Sequence, residues 1–284
     1  MTGSHSVNVE HLFSKLKQAP VIPQLLQEMM TSFNQSNIGL DSIASKIAMD
    51  PVITAKVLKM ANSAAYSRGQ DVESIAQAAV KLGLNKLRSL VIASSLTNNF
   101  HHDNDFDIRD FWRNSFQVAQ IAKAIASQTS LDPEVVFTCS LMHNIGELLI
   151  QSALPEEASL VALSQAQGQS RIEAQHAVLN FDFTDVGLEL AKQWNFTDTF
   201  ANAIQQQLDP LSFRQISDEA VLIRLAVFVN FATNAGVPVV MIVERFPQAL
   251  AQHLNINPQV LTTQLQDMQQ QGNELATLLM QEVA

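Results

Sequence analysis

The residues best suited to chemistry are His143 and Asn144, set in the run Phe137-Thr138-Cys139-Ser140-Leu141-Met142-His143-Asn144-Ile145-Gly146-Glu147-Leu148-Leu149-Ile150. An imidazole can carry a proton near neutral pH or hold a metal. The amide beside it can hydrogen-bond but is a weak ligand for transition metals. Phe137, Leu141, Ile145 and Leu148 recur at helical spacing, so the run reads as one buried helix. Polar groups inside such a helix need partners. Cys139 is the single cysteine; it can make no internal disulfide and no multi-thiolate metal site, and it reads as a buried structural thiol.

Other chemical constellations are weaker. His101 and His102 stand beside Asp103 and Asp105, but adjacent histidines in a polar loop read as solvated rather than as metal ligands. No Gly-rich phosphate loop and no Gly-x-Ser-x-Gly occurs. Trp112 and Trp194 sit in apolar helical patterns and read as core. Glu134 and Glu147 are too far apart in sequence to argue for an acid–base pair.

The elements that must position these residues are helices. The pattern lacks alternating apolar runs bounded by hairpin turns, so the fold class is all-α. Asp50-Pro51 and Asp132-Pro133 each join a capping carboxylate to a proline in the first turn, and both predict sharp helix starts. Asp71 is expected to open another helix, Gly83 to end it, and Asn257-Pro258 to open the last one. Ser217-Asp218-Glu219 puts acids at the favourable end of a helix running to about Asn234. The polar stretch 98–105 marks the predicted boundary, giving an N-terminal helical subdomain over 1–105 and a helical core with a C-terminal helix over 106–284, the two packed as one unit.

Composition narrows the functional classes. Of 284 residues 47% are hydrophobic and 15% charged, enough for a sizeable core. Seventeen basic residues against 27 acidic ones give a net charge of −10, which argues against a nucleic-acid partner held by phosphate neutralisation. Lys81, Lys86 and Arg88 form the one notable basic cluster and read as a solvated helix face. The uncharged segment 225–243 contains Asn230, Thr233, Asn234, Gly236 and Pro238, so it reads as a buried helix followed by a short one and not as a membrane span. With no secretion signal evident and one cysteine, a cytoplasmic location is expected.

A family resemblance rests on several motifs in order: Pro20-Val21-Ile22-Pro23, Ile47-Ala48-Met49-Asp50-Pro51, Leu58-Lys59-Met60-Ala61-Asn62-Ser63-Ala64-Ala65-Tyr66, Ala79-Val80-Lys81-Leu82-Gly83-Leu84, Phe111-Trp112-Arg113-Asn114-Ser115, Leu141-Met142-His143-Asn144-Ile145-Gly146 and Phe181-Asp182. Together they resemble the HDOD domain, the output domain related to the HD superfamily of metal-dependent phosphohydrolases. The resemblance implies a multi-helical core like that of the HD phosphodiesterases with an N-terminal helical subdomain. It also implies a regulatory or interaction role in bacterial signalling, although members are often labelled phosphohydrolases by similarity.

A working HD site gathers a His, a His-Asp pair and a later Asp around divalent metal, which activates water and polarises phosphate. Carried over residue by residue, the pattern meets Asn114 for the first His, His143-Asn144 for the His-Asp pair and Glu147 for the usual Lys. Phe183 stands where a His is expected after Asp182. Gln205-Gln206-Gln207 replaces a His-rich segment, and the region of Asn230 replaces the last Asp. The Gly-Tyr-Pro element of cyclic-dinucleotide-cleaving relatives is absent, Tyr66 being the only tyrosine. The resemblance therefore implies a degenerate cleft of Asn114, His143, Asn144, Asp182, Gln206 and Asn230, with no bound metal or other cofactor and no catalytic residue. His143 is expected to be satisfied by neighbours such as Asn114. The expected function is non-catalytic signalling through a protein partner or small ligand, with a homodimer possible. The alternatives are a divergent metal-dependent phosphohydrolase and a nucleotide or second-messenger receptor.

Overall fold

In the computed structural model the described residues are 8–16, 27–29, 40–63, 72–99 and 106–280. The Pro20–Pro23 motif, Asp71, Tyr66, the His101-His102 pair and most of the expected boundary lie outside them. The described residues contain helices and no strand. In chain order they are α1 (Val9–Lys15), α2 (Leu40–Ile47), α3 (Pro51–Ala61), α4 (Ile75–Leu82), α5 (Leu84–Asn99), α6 (Ile108–Ala126), α7 (Pro133–Met142) and α8 (Ile145–Ala153). Then come α9 (Pro155–Ala166), α10 (Arg171–Leu179), α11 (Phe183–Gln193), α12 (Asp198–Gln206), α13 (Asp218–Asn234), α14 (Val239–Glu244), α15 (Gln248–His253) and α16 (Leu261–Met280).

Local chemistry sets many of the boundaries. Asp50 accepts from the amides of Val52 and Ile53, both at 3.0 Å, and Asp132 from that of Glu134 at 2.8 Å. Each satisfies donors that the first turn leaves free. Two expected starts differ. Ser74, accepting from Gln77 N, is the cap that opens α4. Pro258 opens a short 3-10 turn, Pro258–Val260, before α16. The uncharged segment is split at Gly236, where φ is 74°, into the end of α13 and the short α14. No helix among the described residues is long and apolar enough to cross a membrane.

α6 is the axis of the fold. It packs against α7, α13 and α16. Its Phe116 belongs to a core cluster reaching from Leu12 to Leu279, and its Val118 and Ile121 to a second one with α13 and α16. At Gly272 of α16 an added Cβ would lie 2.8 Å from Gln117 Cα and 2.9 Å from Gln117 N, so only glycine permits the two backbones to meet so closely. The N-terminal helices are tied to the same end of the molecule: the buried Lys56 of α3 donates to Leu279 O at 2.8 Å.

The basic cluster is not a uniform solvated face. Lys86 is exposed, but Arg88 is buried and donates to Asn85 Oδ1 at 3.2 Å. Asn85 in turn donates to the capping Asp132, so Arg88 stands near a carboxylate that offsets part of its burial.

Candidate functional site

The stretch expected to be one helix is two. α7 ends at Met142, His143 is its C-cap, and Asn144, with φ −110° and ψ 13°, begins α8. A long-range contact accompanies the break. A Cβ on Gly146 would fall 2.0 Å from Phe183 O and 2.8 Å from Gly187 N, so the first turn of α8 is pressed onto the first turn of α11. The apolar period continues through the break because both helices are buried. His143 and Asn144 are thereby placed at a corner where α7, α8, α10, α11 and α12 supply neighbours.

His143 is buried, and its Nδ1 lies 2.6 Å from Ser140 O. A carbonyl only accepts, so Nδ1 carries the proton and Nε2 is left as the lone pair. The imidazole is therefore satisfied by its own helix and not by Asn114. Burial pushes its pKa down to about 4, the Ser140 carbonyl works the other way, and the Arg171 charge lowers it further. It is neutral at pH 7. The backbone carbonyl of His143 accepts from Gln207 Nε2 at 2.7 Å. Gln206, the neighbour named in the expected cleft, turns elsewhere: its Oε1 accepts from Ser217 N at 2.8 Å and helps seat α13. Gln207 and not Gln206 faces the His143 corner, because successive positions on a helix point in different directions.

Asn144 makes no cap bond. Its Oδ1 instead accepts from Arg171 at 3.0 Å. The Arg171 guanidinium also lies over the Phe183 ring, 4.0 Å from its centroid. Burial lowers the Arg171 pKa, while the charges of Glu147 and Asp182 hold it up, and the guanidinium stays charged. Glu147 is itself buried and accepts from Gln151 at 2.9 Å and Gln175 at 2.7 Å. Gln175 also takes the amide of Phe183 at 3.1 Å. Arg171, Gln175 and Gln207 are absent from the expected cleft. One signal did mark Arg171. It lies between the capping pair Ser170 and Glu173 and so occupies the first turn of α10, where a cation is disfavoured by the helix dipole unless something else holds it.

Asp182 has a structural occupation. It caps α11, accepting from Thr184 N at 2.7 Å, Thr184 Oγ1 at 2.6 Å and Asp185 N at 3.4 Å, and its second oxygen lies 3.2 Å from His176 Nε2. Asn114 and Asn230 form a second group. Asn114 Oδ1 accepts from Asn230 at 3.4 Å and from Asn234 at 3.0 Å, and Asn234 also donates to Gln117 at 3.2 Å. Asn114 Nδ2 donates to Asp110 O and Oδ2, both at 2.9 Å. The buried Asn230 Oδ1 accepts no hydrogen bond from the described residues.

The HD-type positions supply one neutral imidazole, and their one carboxylate is already committed to capping. A guanidinium is bonded to the residue that replaces the paired Asp. No group of three or more His, Cys, Asp or Glu able to hold a metal occurs among the described residues. The residues do not fit a hydrolytic metal centre.

A sequence profile of the HDOD domain matches residues 19–210. The chain belongs to the HDOD family. Among solved HDOD-like structures, one named "Putative phosphohydrolase" from Shewanella amazonensis is 31% identical, with a TM-score of 0.83 over 95% of this chain and 98% of its own. An HDOD domain protein from Geobacter sulfurreducens shares the fold at 22% identity, with a TM-score of 0.81 over 94% and 96% of the two chains. An uncharacterized protein of Treponema pallidum is 25% identical over 67% of this chain, and the match spans 38% of that protein's length. The two solved structures share the all-helical fold of this chain.

Proposed function

We propose that this HDOD chain is a non-catalytic regulator of bacterial signalling that acts in the cytoplasm by binding a protein partner or small ligand. One observation carries the reading. The positions that would ligate metal hold Asn114, Asn144, Phe183 and Asn230; Asn144 accepts from Arg171, and Asn114 accepts from Asn230. Polarity has been kept while anionic and imidazole ligands have been lost, which suits a packed polar core and not Lewis-acid chemistry. A groove of about 670 Å³ at the edge of the family-matched segment supports a binding role; it is lined by Leu208, Leu211, Val227, Phe228 and the exposed Phe231.

The test is metal content and turnover together. The purified protein is expected to contain far less than one equivalent of Mn, Fe, Ni or Zn, and to hydrolyse phosphomonoesters and cyclic dinucleotides no faster than its His143→Ala variant. Stoichiometric metal and a hydrolysis rate that both disappear in His143→Ala would favour the rival reading, a divergent phosphohydrolase. The name of the Shewanella relative is what keeps that rival in view.

A further inference from the structure

We propose that Arg171 is the resident cation of this site, its guanidinium standing where an HD enzyme would keep its metal. The key juxtaposition is between Arg171 and the residue that replaces the paired Asp. The Arg171 donor reaches Asn144 Oδ1 at 3.0 Å, the atom that a ligating carboxylate would otherwise offer.

Three further groups fit a cation built into the site. Glu147 and Asp182 are both buried carboxylates, and both interact electrostatically with Arg171. Each has other partners: amides on Glu147, the α11 cap on Asp182. Neither is joined to Arg171 by a direct hydrogen bond among the described contacts, so the guanidinium balances their charge through space. The ring of Phe183, at a position where the family resemblance expects a histidine, lies under the guanidinium at 4.0 Å. A histidine there would offer a metal another ligand, whereas a phenyl ring offers a cation its face. His143 is close enough to Arg171 for the charge to disfavour protonation, so the two do not compete as cations.

A helix N-terminus is a poor place for an arginine. Here Ser170 and Glu173 form the capping box that begins α10, and Arg171 leaves that turn to meet α8 and α11. The substitutions at Asn144 and Phe183 and the presence of Arg171 then form one exchange. The mobile, exchangeable cation of an enzyme has become a covalently attached one. The inference deepens the non-catalytic reading, but its test involves neither turnover nor a partner, so the two can fail separately.

The experiment is a double-substitution cycle read by thermal unfolding of the full chain in EDTA. With Arg171 present, Asn144→Asp is expected to leave Tm unchanged or raise it, because the new carboxylate meets a waiting guanidinium. In an Arg171→Gln background the same change is expected to lower Tm, because a third carboxylate joins two that have lost their cation. The two shifts should differ by about 3 °C or more. Equal shifts in both backgrounds overturn the proposal. Should Arg171→Gln fail to fold, Arg171→Lys carries the comparison: Asn144→Asp is then expected to be tolerated, and a loss of Tm as large as that from Asn144→Leu overturns it. The native chain provides an independent arm. Millimolar Mn²⁺ or Ni²⁺ should leave its Tm unchanged, and a rise that His143→Ala abolishes also overturns the proposal.

Discussion

A histidine that stays neutral to about pH 4 gives the site a measurable signature. The ordinary histidine pKa is about 6.5, so as pH falls the unfolded chain takes up this proton first. Stability from His143 is complete above about pH 6.5, falls as the pH drops toward 4, and is constant below that. The loss across the window is about 3 kcal/mol. Urea unfolding of the native chain should show this slope between pH 6.5 and 4, and His143→Gln should flatten it by a comparable amount. A slope unchanged in His143→Gln would mean that the imidazole titrates normally. Cys139 behaves similarly as a buried group. Burial pushes its thiol pKa well up, so no thiolate forms at neutral pH, and a thiol reagent should label it only after denaturant is added.

At the scale of helices, Gly146 is the position with least tolerance. A methyl group 2.0 Å from Phe183 O must force α8 away from α11. Gly146→Ala is expected to cost about 1–3 kcal/mol, the usual range for overpacking, and to disturb the Arg171–Asn144 contact. Urea unfolding gives the first effect; loss of the Arg171–Asn144 coupling in the cycle above gives the second. Much of this level was legible in the sequence. Asp50-Pro51, Asp132-Pro133 and Gly83 act within one turn, so their meaning is local. The break at His143-Asn144 was not legible, because its cause is backbone contact with a segment far along the chain. The cleft was legible in part. His143, Asn144 and Asp182 do share a corner through Arg171, whereas Asn114 accepts from both Asn230 and Asn234 in a separate group. Gln207 could be told from Gln206 only once the direction of α12 was known. Arg171 was legible only as an ill-placed cation in the first turn of α10: its partners come from α8 and α11, and no spacing within α10 points to them.

At the scale of the whole molecule, Lys56 joins the first helices to the last one. Its ammonium is buried, and burial, followed by the charge of Lys59, lowers its pKa. Lys56→Met removes the donor and leaves Leu279 O without this bond. The expected loss is about 1–3 kcal/mol, the cost of an unsatisfied buried group. Hydrogen exchange should show weaker protection in α3 and at the end of α16 together. Loosening in α3 alone would mean that the contact does not couple the two ends.

The close approach of Gly272 to Gln117 also bears on how the molecule is made. α6 occupies residues 108–126, but the helix that covers one of its sides runs from 261 to 280. At bacterial and eukaryotic translation speeds, roughly ten to thirty seconds separate the two on the ribosome. Throughout that interval the nascent chain displays an apolar stripe whose partner has not been synthesised. A chain ending before Leu261 would leave this side of the central helix without its cover.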